Sequence, residues 1–119
     1  MRIIVTGGRD YADAQAVART LTAYQAKHPG PHTLVHGGAT GADTMAAAVA
    51  YTLGWEAEVH YADWELHGRG AGPIRNKKMA DAGADGLIAF PGGRGTANMI
   101  ACARKEGIPV WEPRKVRDA

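Results

Sequence analysis

The residues best suited to chemistry in this chain are paired glycines, each pair ending a short apolar run: Gly7-Gly8, Gly37-Gly38 and Gly92-Gly93. Without a Cβ, such a pair lets the backbone turn sharply or pass close beneath a ligand. Each pair is expected to open toward a helix N-terminus, where free N–H groups and the helix dipole favour an anion. A phosphate is the natural guest. The runs carry neither Gly-x-Gly-x-x-Gly nor Gly-Lys-Ser/Thr, which disfavours ordinary dinucleotide binding and P-loop hydrolysis.

Charged and hydroxylated side chains follow these turns closely. Pro91-Gly-Gly-Arg-Gly-Thr96 is the most specific segment. Its glycines let the chain run under a phosphate, with a side chain at Gly93 expected to obstruct that approach or force a disfavoured φ and so abolish binding, and Thr96 either touches the ligand or caps a helix. Thr40-Gly-Ala-Asp43 matches a capping box. Asp43 then rests in a first helical turn, or faces the crevice to bind a ribose hydroxyl or act as acid or base. Gly72-Pro-Ile-Arg-Asn-Lys-Lys-Met79 starts another helix, expected to be exposed. Arg75 there suits bidentate contact with phosphate, beside Asn76 and Lys78. Trp64 lies in a loop with His67 and either stacks on a base or fills space between helices. His32 and His36 fall roughly 13 Å apart on a strand, and the histidine spacing fits no metal site. No metal and no resident cofactor is expected. Cys102, inside the last helix, reads as core.

These residues need a scaffold, and apolar periodicity supplies one. Strands are expected at 2–6, 33–36, 55–61, 86–90 and 108–111, and helices at about 12–27, 42–53, 73–82 and 96–106. Residues 62–72 read as a loop. Pro73 suits a first helical position, and Gly54, Gly83 and Gly107 suit helix ends. Strands alternating with helices over short connections imply an α/β fold, a three-layer sandwich with a mainly parallel sheet of about five strands. In such a sheet the ligand crevice lies at the carboxyl ends of the strands.

The bulk figures agree with this. The 119 residues read as one domain over 1–113 with a basic tail at 114–119. A formal charge of +2 argues only weakly for a nucleic-acid partner. One cysteine permits no internal disulfide and fits a reducing compartment. No apolar run approaches the ~20 residues of a membrane span, and no signal-peptide pattern opens the chain, so a cytoplasmic location is expected.

Ile4-Val-Thr-Gly-Gly-Arg-Asp10, His36-Gly-Gly-Ala-Thr-Gly-Ala-Asp43, Ala62-Asp-Trp64, Gly72-Pro-Ile-Arg-Asn76 and Pro91-Gly-Gly-Arg-Gly-Thr96 follow one another along nearly the whole chain. In these motifs the sequence resembles the SLOG superfamily, and within it the YspA-like, cpYpsA-related branch. The resemblance implies a Rossmann-like fold and a nucleotide-type ligand. Turns and resemblance together nominate Gly7, Gly8, Arg9, Gly37, Gly38, Asp43, Trp64, Arg75, Asn76, Gly92, Gly93, Gly95 and Thr96 as ligand-binding residues. The superfamily's LOG phosphoribohydrolases share Pro-Gly-Gly-x-Gly-Thr-x-x-Glu and an upstream arginine, a part Arg75 is placed to play. Met99 stands where their glutamate would be, which disfavours LOG-type hydrolysis.

The leading expectation is a module that senses or sequesters a nucleotide-derived small molecule. The alternative is a hydrolase of a glycosidic bond in a nucleotide or nucleotide sugar, with Asp43, Asp10 or Glu65 as the catalytic carboxylate. Nucleic-acid binding, as in the more distantly similar DprA, is disfavoured by near-neutral charge and few clustered aromatics. A membrane partner is not expected, and homo-oligomer formation stays open.

Overall fold

The strands form where short β-branched runs can be buried on both faces. In β1 (Arg2–Thr6), Ile3 and Val5 enter one core cluster and Ile4 enters the other. β2 (Thr33–His36) divides Leu34 from Val35 in the same way, and β4 (Gly86–Ala89) divides Ile88 from Leu87. Such strands need cover on both sides, which is why their sequences read as continuous apolar runs. β3 (Glu56–Val59) is largely exposed and stands at an edge, and β5 (Val110–Trp111) closes the other.

The computed structural model describes residues 1–113, so the expected basic tail at 114–119 lies outside the described residues. The five strands are all parallel, in the order β3-β2-β1-β4-β5. Helices α1 (Ala14–Lys27) and α2 (Ala42–Thr52) pack together and supply Val17, Leu21, Ala42, Ala46 and Ala50 to the first core. Helices α4 (Ala71–Asp81) and α5 (Arg94–Lys105) supply Met79, Ala80, Met99 and Ala103 to the second. Helix, sheet and helix make the three layers of a Rossmann-like α/β fold. Among the described residues no helix is long and apolar enough to cross a membrane.

Three local expectations are corrected. Residues 64–70 are not an irregular loop: they form the short helix α3 (Trp64–His67) and a 3-10 turn (Gly68–Gly70). The cause is local, since the Asp63 carboxylate accepts the Leu66 N–H at 3.0 Å and nucleates the turn. Helix α4 accordingly starts at Ala71, so Pro73 is its third residue. Proline is accepted there because the N–H groups of a first turn have no intrahelical partner. Helix α5 starts at Arg94 with Gly93 as N-cap, so Thr96 lies inside the first turn and does not cap it.

The topology places the site. The chain lays β1, β2 and β3 outward on one side, then crosses back to set β4 on the other flank of β1. From β1 it leaves toward α1, and from β4 toward α5 on the opposite face. Adjacent strands whose connections diverge leave a crevice beyond their carboxyl ends.

Candidate functional site

A crevice of about 550 Å³ lies at this switch point. Thr6, Gly7, Gly8 and Arg9 line it from the end of β1, and Ala39 and Asp43 from the start of α2. Trp64, Arg69, Gly72, Pro73, Arg75 and Asn76 come from the α3–α4 segment, and Gly93, Arg94, Gly95, Thr96 and Asn98 from α5.

The turns are stitched to one another. The Gly8 N–H donates to the Pro91 carbonyl at 2.9 Å, and the Gly8 carbonyl accepts the Ala42 N–H at 3.2 Å. The β1 loop is thereby tied to the turns on both sides. The approach demands glycine at Gly92, where a Cβ would lie 2.6 Å from the Gly8 nitrogen and 2.9 Å from the Thr96 Cβ. It demands glycine again at Gly41, whose φ of +78° favours glycine and whose Cβ would run into the Gly8 and Arg9 carbonyls. Gly93 is different. A Cβ there meets no protein atom within 4 Å and its φ is −97°, so neither packing nor a positive φ requires glycine at Gly93.

The three glycine turns are not equivalent anion sites. Helix α1 begins only at Ala14, and the Asp13 side chain caps it by accepting the Ala16 N–H at 3.0 Å. At α2, Gly41 and not Thr40 is the N-cap, without a side-chain bond, so the expected capping box does not form. Asp43 sits in that first turn, and its Oδ2 accepts the N–H groups of Gly37 at 3.0 Å and Ala39 at 3.3 Å. Helix α5 has neither a side-chain cap nor an acid in its first turn. The N–H groups of Arg94, Gly95 and Thr96 have no protein acceptor among the described residues. Of the three turns, only the one after β4 leads to a helix with neither a side-chain cap nor an acid in its first turn.

Asp43 is 5% exposed. Burial pushes its pKa up, opposed by the Ala39 and Gly37 N–H groups and by nearby His36 and Arg75. Burial also lowers the pKa of His36, whose Nδ1 accepts the Gly38 N–H at 3.0 Å. Arg75 is half-buried rather than exposed at a helix start. Its Nη1 donates to the carbonyls of Gly37 at 2.9 Å and His60 at 3.3 Å, and its Nε to Asn76 Oδ1 at 2.9 Å. Desolvation lowers the guanidinium pKa, partly offset by Asp43. Asn76 is buried and donates to Asn98 Oδ1 at 2.9 Å and to the Gly95 carbonyl at 3.3 Å, which ties α4 to the first turns of α5. Trp64 is 49% exposed, with the Arg9 guanidinium 5.4 Å from its ring centroid.

Other nominated residues fall elsewhere. Gly37 and Gly38 line a neighbouring hollow of about 300 Å³, with Tyr61 and Thr40. Gly92 is taken up by packing against Thr96 and Gly8. Asp10 and Glu65 are exposed and lie outside the crevice lining. Met99 is fully buried in the core beneath the sheet, and Asn98 is the residue that reaches the crevice. Sequence reasoning passed over Arg69 and Arg94. Arg94 lies within the Pro91–Thr96 motif, and Arg69 has only its place between two glycines as a signal. With them the crevice carries four arginines, Arg9, Arg69, Arg75 and Arg94, against one carboxylate, Asp43.

Residues 1–67 match the model of the YspA, cpYpsA-related SLOG family. The chain is also 42% identical over 116 residues to the Gene 61 protein of Mycobacterium phage D29, covering 92% of this chain and 93% of that one. The chain belongs to the YspA, cpYpsA-related SLOG family. The SLOG fold extends to a solved structure of DNA processing protein A (DprA) from Streptococcus pneumoniae, with a TM-score of 0.77 at 18% identity. That match covers 98% of this chain and 52% of DprA, so the chain spans about half of DprA's length. At this identity the likeness carries the fold. The glycine turns after β1 and β4 build crevice walls and are locked together by the Gly8 to Pro91 bond.

Proposed function

We propose that this SLOG protein binds a phosphate-bearing, nucleotide-derived small molecule in the crevice, as a sensor or sequestering module. The observation that carries the reading is the open N-terminus of α5 inside an arginine-lined cavity at the strand switch point. Unpaired N–H groups and the positive end of a helix dipole favour an oxyanion, and guanidinium groups strengthen the preference. The cavity volume falls within the ordinary range for small-molecule sites, about 300–1,000 Å³. Trp64 offers an exposed ring on which a base can stack.

Hydrolysis of the LOG type is not favoured. That chemistry needs a carboxylate beside the anomeric carbon, and the position that would supply it is Met99, buried in the core. DprA is a DNA processing protein. For the present chain, a formal charge of +2 gives an extended phosphate backbone little purchase.

Calorimetric titration with adenosine, AMP and ADP tests the proposal. Affinity should rise steeply from the nucleoside to the phosphates. Equal affinity across the series would sink the phosphate reading. Chromatography of the same mixtures should recover intact nucleotide, and release of free base over multiple turnovers would favour the hydrolase instead. A single-stranded oligonucleotide that binds more tightly than any mononucleotide would transfer the reading to DNA.

A further inference from the structure

We propose that the crevice selects ribose over deoxyribose, through a sugar hydroxyl that donates to the Oδ1 atom of Asp43. The inference rests on the reading of the crevice as a phosphate-bearing nucleotide site and specifies the sugar that the site accepts.

Asp43 is 5% exposed and yet lines the crevice. The Gly37 and Ala39 N–H groups both bind Oδ2, which fixes the rotation of the carboxylate. Oδ1 has no protein partner among the described residues. Holding a charge on so buried a residue is expensive, and the Gly37 and Ala39 N–H groups offset only part of that cost. Local structure does not require that expense. An asparagine at this position would accept the same two N–H groups through its oxygen and carry no charge. The second oxygen is therefore surplus to the fold and open toward the cavity.

An ionised carboxylate accepts hydrogen bonds and donates none, so its partner must present an O–H or N–H. Phosphate oxygens are excluded by charge, and the open first turn of α5 already suits them. A base suits the flat ring of Trp64, which also lines the crevice. The sugar hydroxyls are the donors that remain. A 2′-deoxy or 3′-deoxy sugar lacks one of them, and a 2′,3′-dideoxy sugar lacks both and leaves Oδ1 unpaired. A site built to bond a hydroxyl discriminates against the analogue that lacks it.

The test is calorimetry on the full chain with the 5′-monophosphates of adenosine, guanosine, cytidine and uridine, followed by the 2′,3′-dideoxy counterpart of the tightest binder. The ribonucleotide should bind about tenfold or more tightly than the dideoxy form, as for a hydrogen bond to a charged acceptor. The 2′-deoxy and 3′-deoxy forms then identify the hydroxyl. Asp43→Asn should lower the ribose-to-dideoxyribose ratio, because the amide that replaces Oδ1 offers the hydroxyl only a neutral hydrogen bond, while the preference for monophosphate over nucleoside persists. Equal affinity for ribose and dideoxyribose, with that phosphate preference intact, overturns this inference alone. Failure of all four monophosphates to bind, or equal binding of nucleoside and monophosphate, overturns the reading of the site and the inference with it. Should Asp43→Asn lose its fold by circular dichroism, the wild-type ratio decides the matter.

Discussion

Arg75 holds the loop after β2 against α4 while lining the crevice, so its two roles should fail together. Its Nη1 binds the Gly37 and His60 carbonyls, which reach toward it from the ends of β2 and β3. Arg75→Ala leaves both without that donor and opens a gap between them. We expect a loss of about 2–3 kcal/mol in unfolding free energy by urea denaturation, together with weaker binding of phosphate-bearing ligands. Arg75→Lys should recover only part of either, because an ammonium cannot reproduce the planar fork. Unchanged stability in Arg75→Ala would return the residue to an exposed helix face.

Among the elements, the junction of the β1 loop with the β4–α5 turn decides whether the open N-terminus is held in place. The Gly8 N–H to Pro91 carbonyl bond of 2.9 Å needs the contact that Gly92 permits. Gly92→Ala forces a Cβ against Gly8 and Thr96 and must part the two turns. Overpacking of this kind costs about 1–3 kcal/mol. Gly93→Ala, one residue on, places its Cβ in open space and should cost less than Gly92→Ala. Thermal melts of the two variants side by side check the pair. Equal melting temperatures would mean that the turns are not locked at Gly92.

Across the whole molecule, ionisation couples the sheet to pH. The Arg2 guanidinium reaches from β1 past β2 and binds both oxygens of Glu58 on β3 at 2.7 Å. Arg2, with His60 beside it, lowers the Glu58 pKa from 4.5 to about 2. A lowered carboxylate pKa adds stability that is present above 4.5 and is lost as the pH falls toward about 2. His36 acts earlier. Burial lowers its pKa, so its share is full above its ordinary 6.5 and is lost as the pH falls below that. Protonation would also break the Nδ1 bond to Gly38. Asp43 has the opposite sign, since acid relieves its buried charge as the pH falls through its raised pKa. Urea midpoints should decline from pH 7 to 5.5, and His36→Asn, which keeps an acceptor for Gly38, should flatten that decline. Glu58→Gln should flatten the decline below 4.5. A wild-type midpoint constant from pH 7 to 3 would contradict both assignments.

The sequence by itself determined the α/β alternation, the parallel sheet and the family. Those follow from short-range signals: β-branched runs such as Ile3-Ile4-Val5, glycines at strand ends, and helical apolar spacing. It also marked most of the crevice lining, because the glycine motifs are local and the strand order carries their turns to one edge. What it did not determine was which turn stays open. Asp13 caps α1 and Asp43 satisfies the turn before α2, whereas α5 receives no such group. Position in sequence cannot separate Met99 from Asn98 either, since one helical step sends the first into the core and the second toward the crevice. Arg75 reads as a surface cation until the carbonyls of Gly37 and His60 arrive from 38 and 15 residues away. Side-chain partners that come from distant segments are set by packing, and local residue preferences hold no record of them.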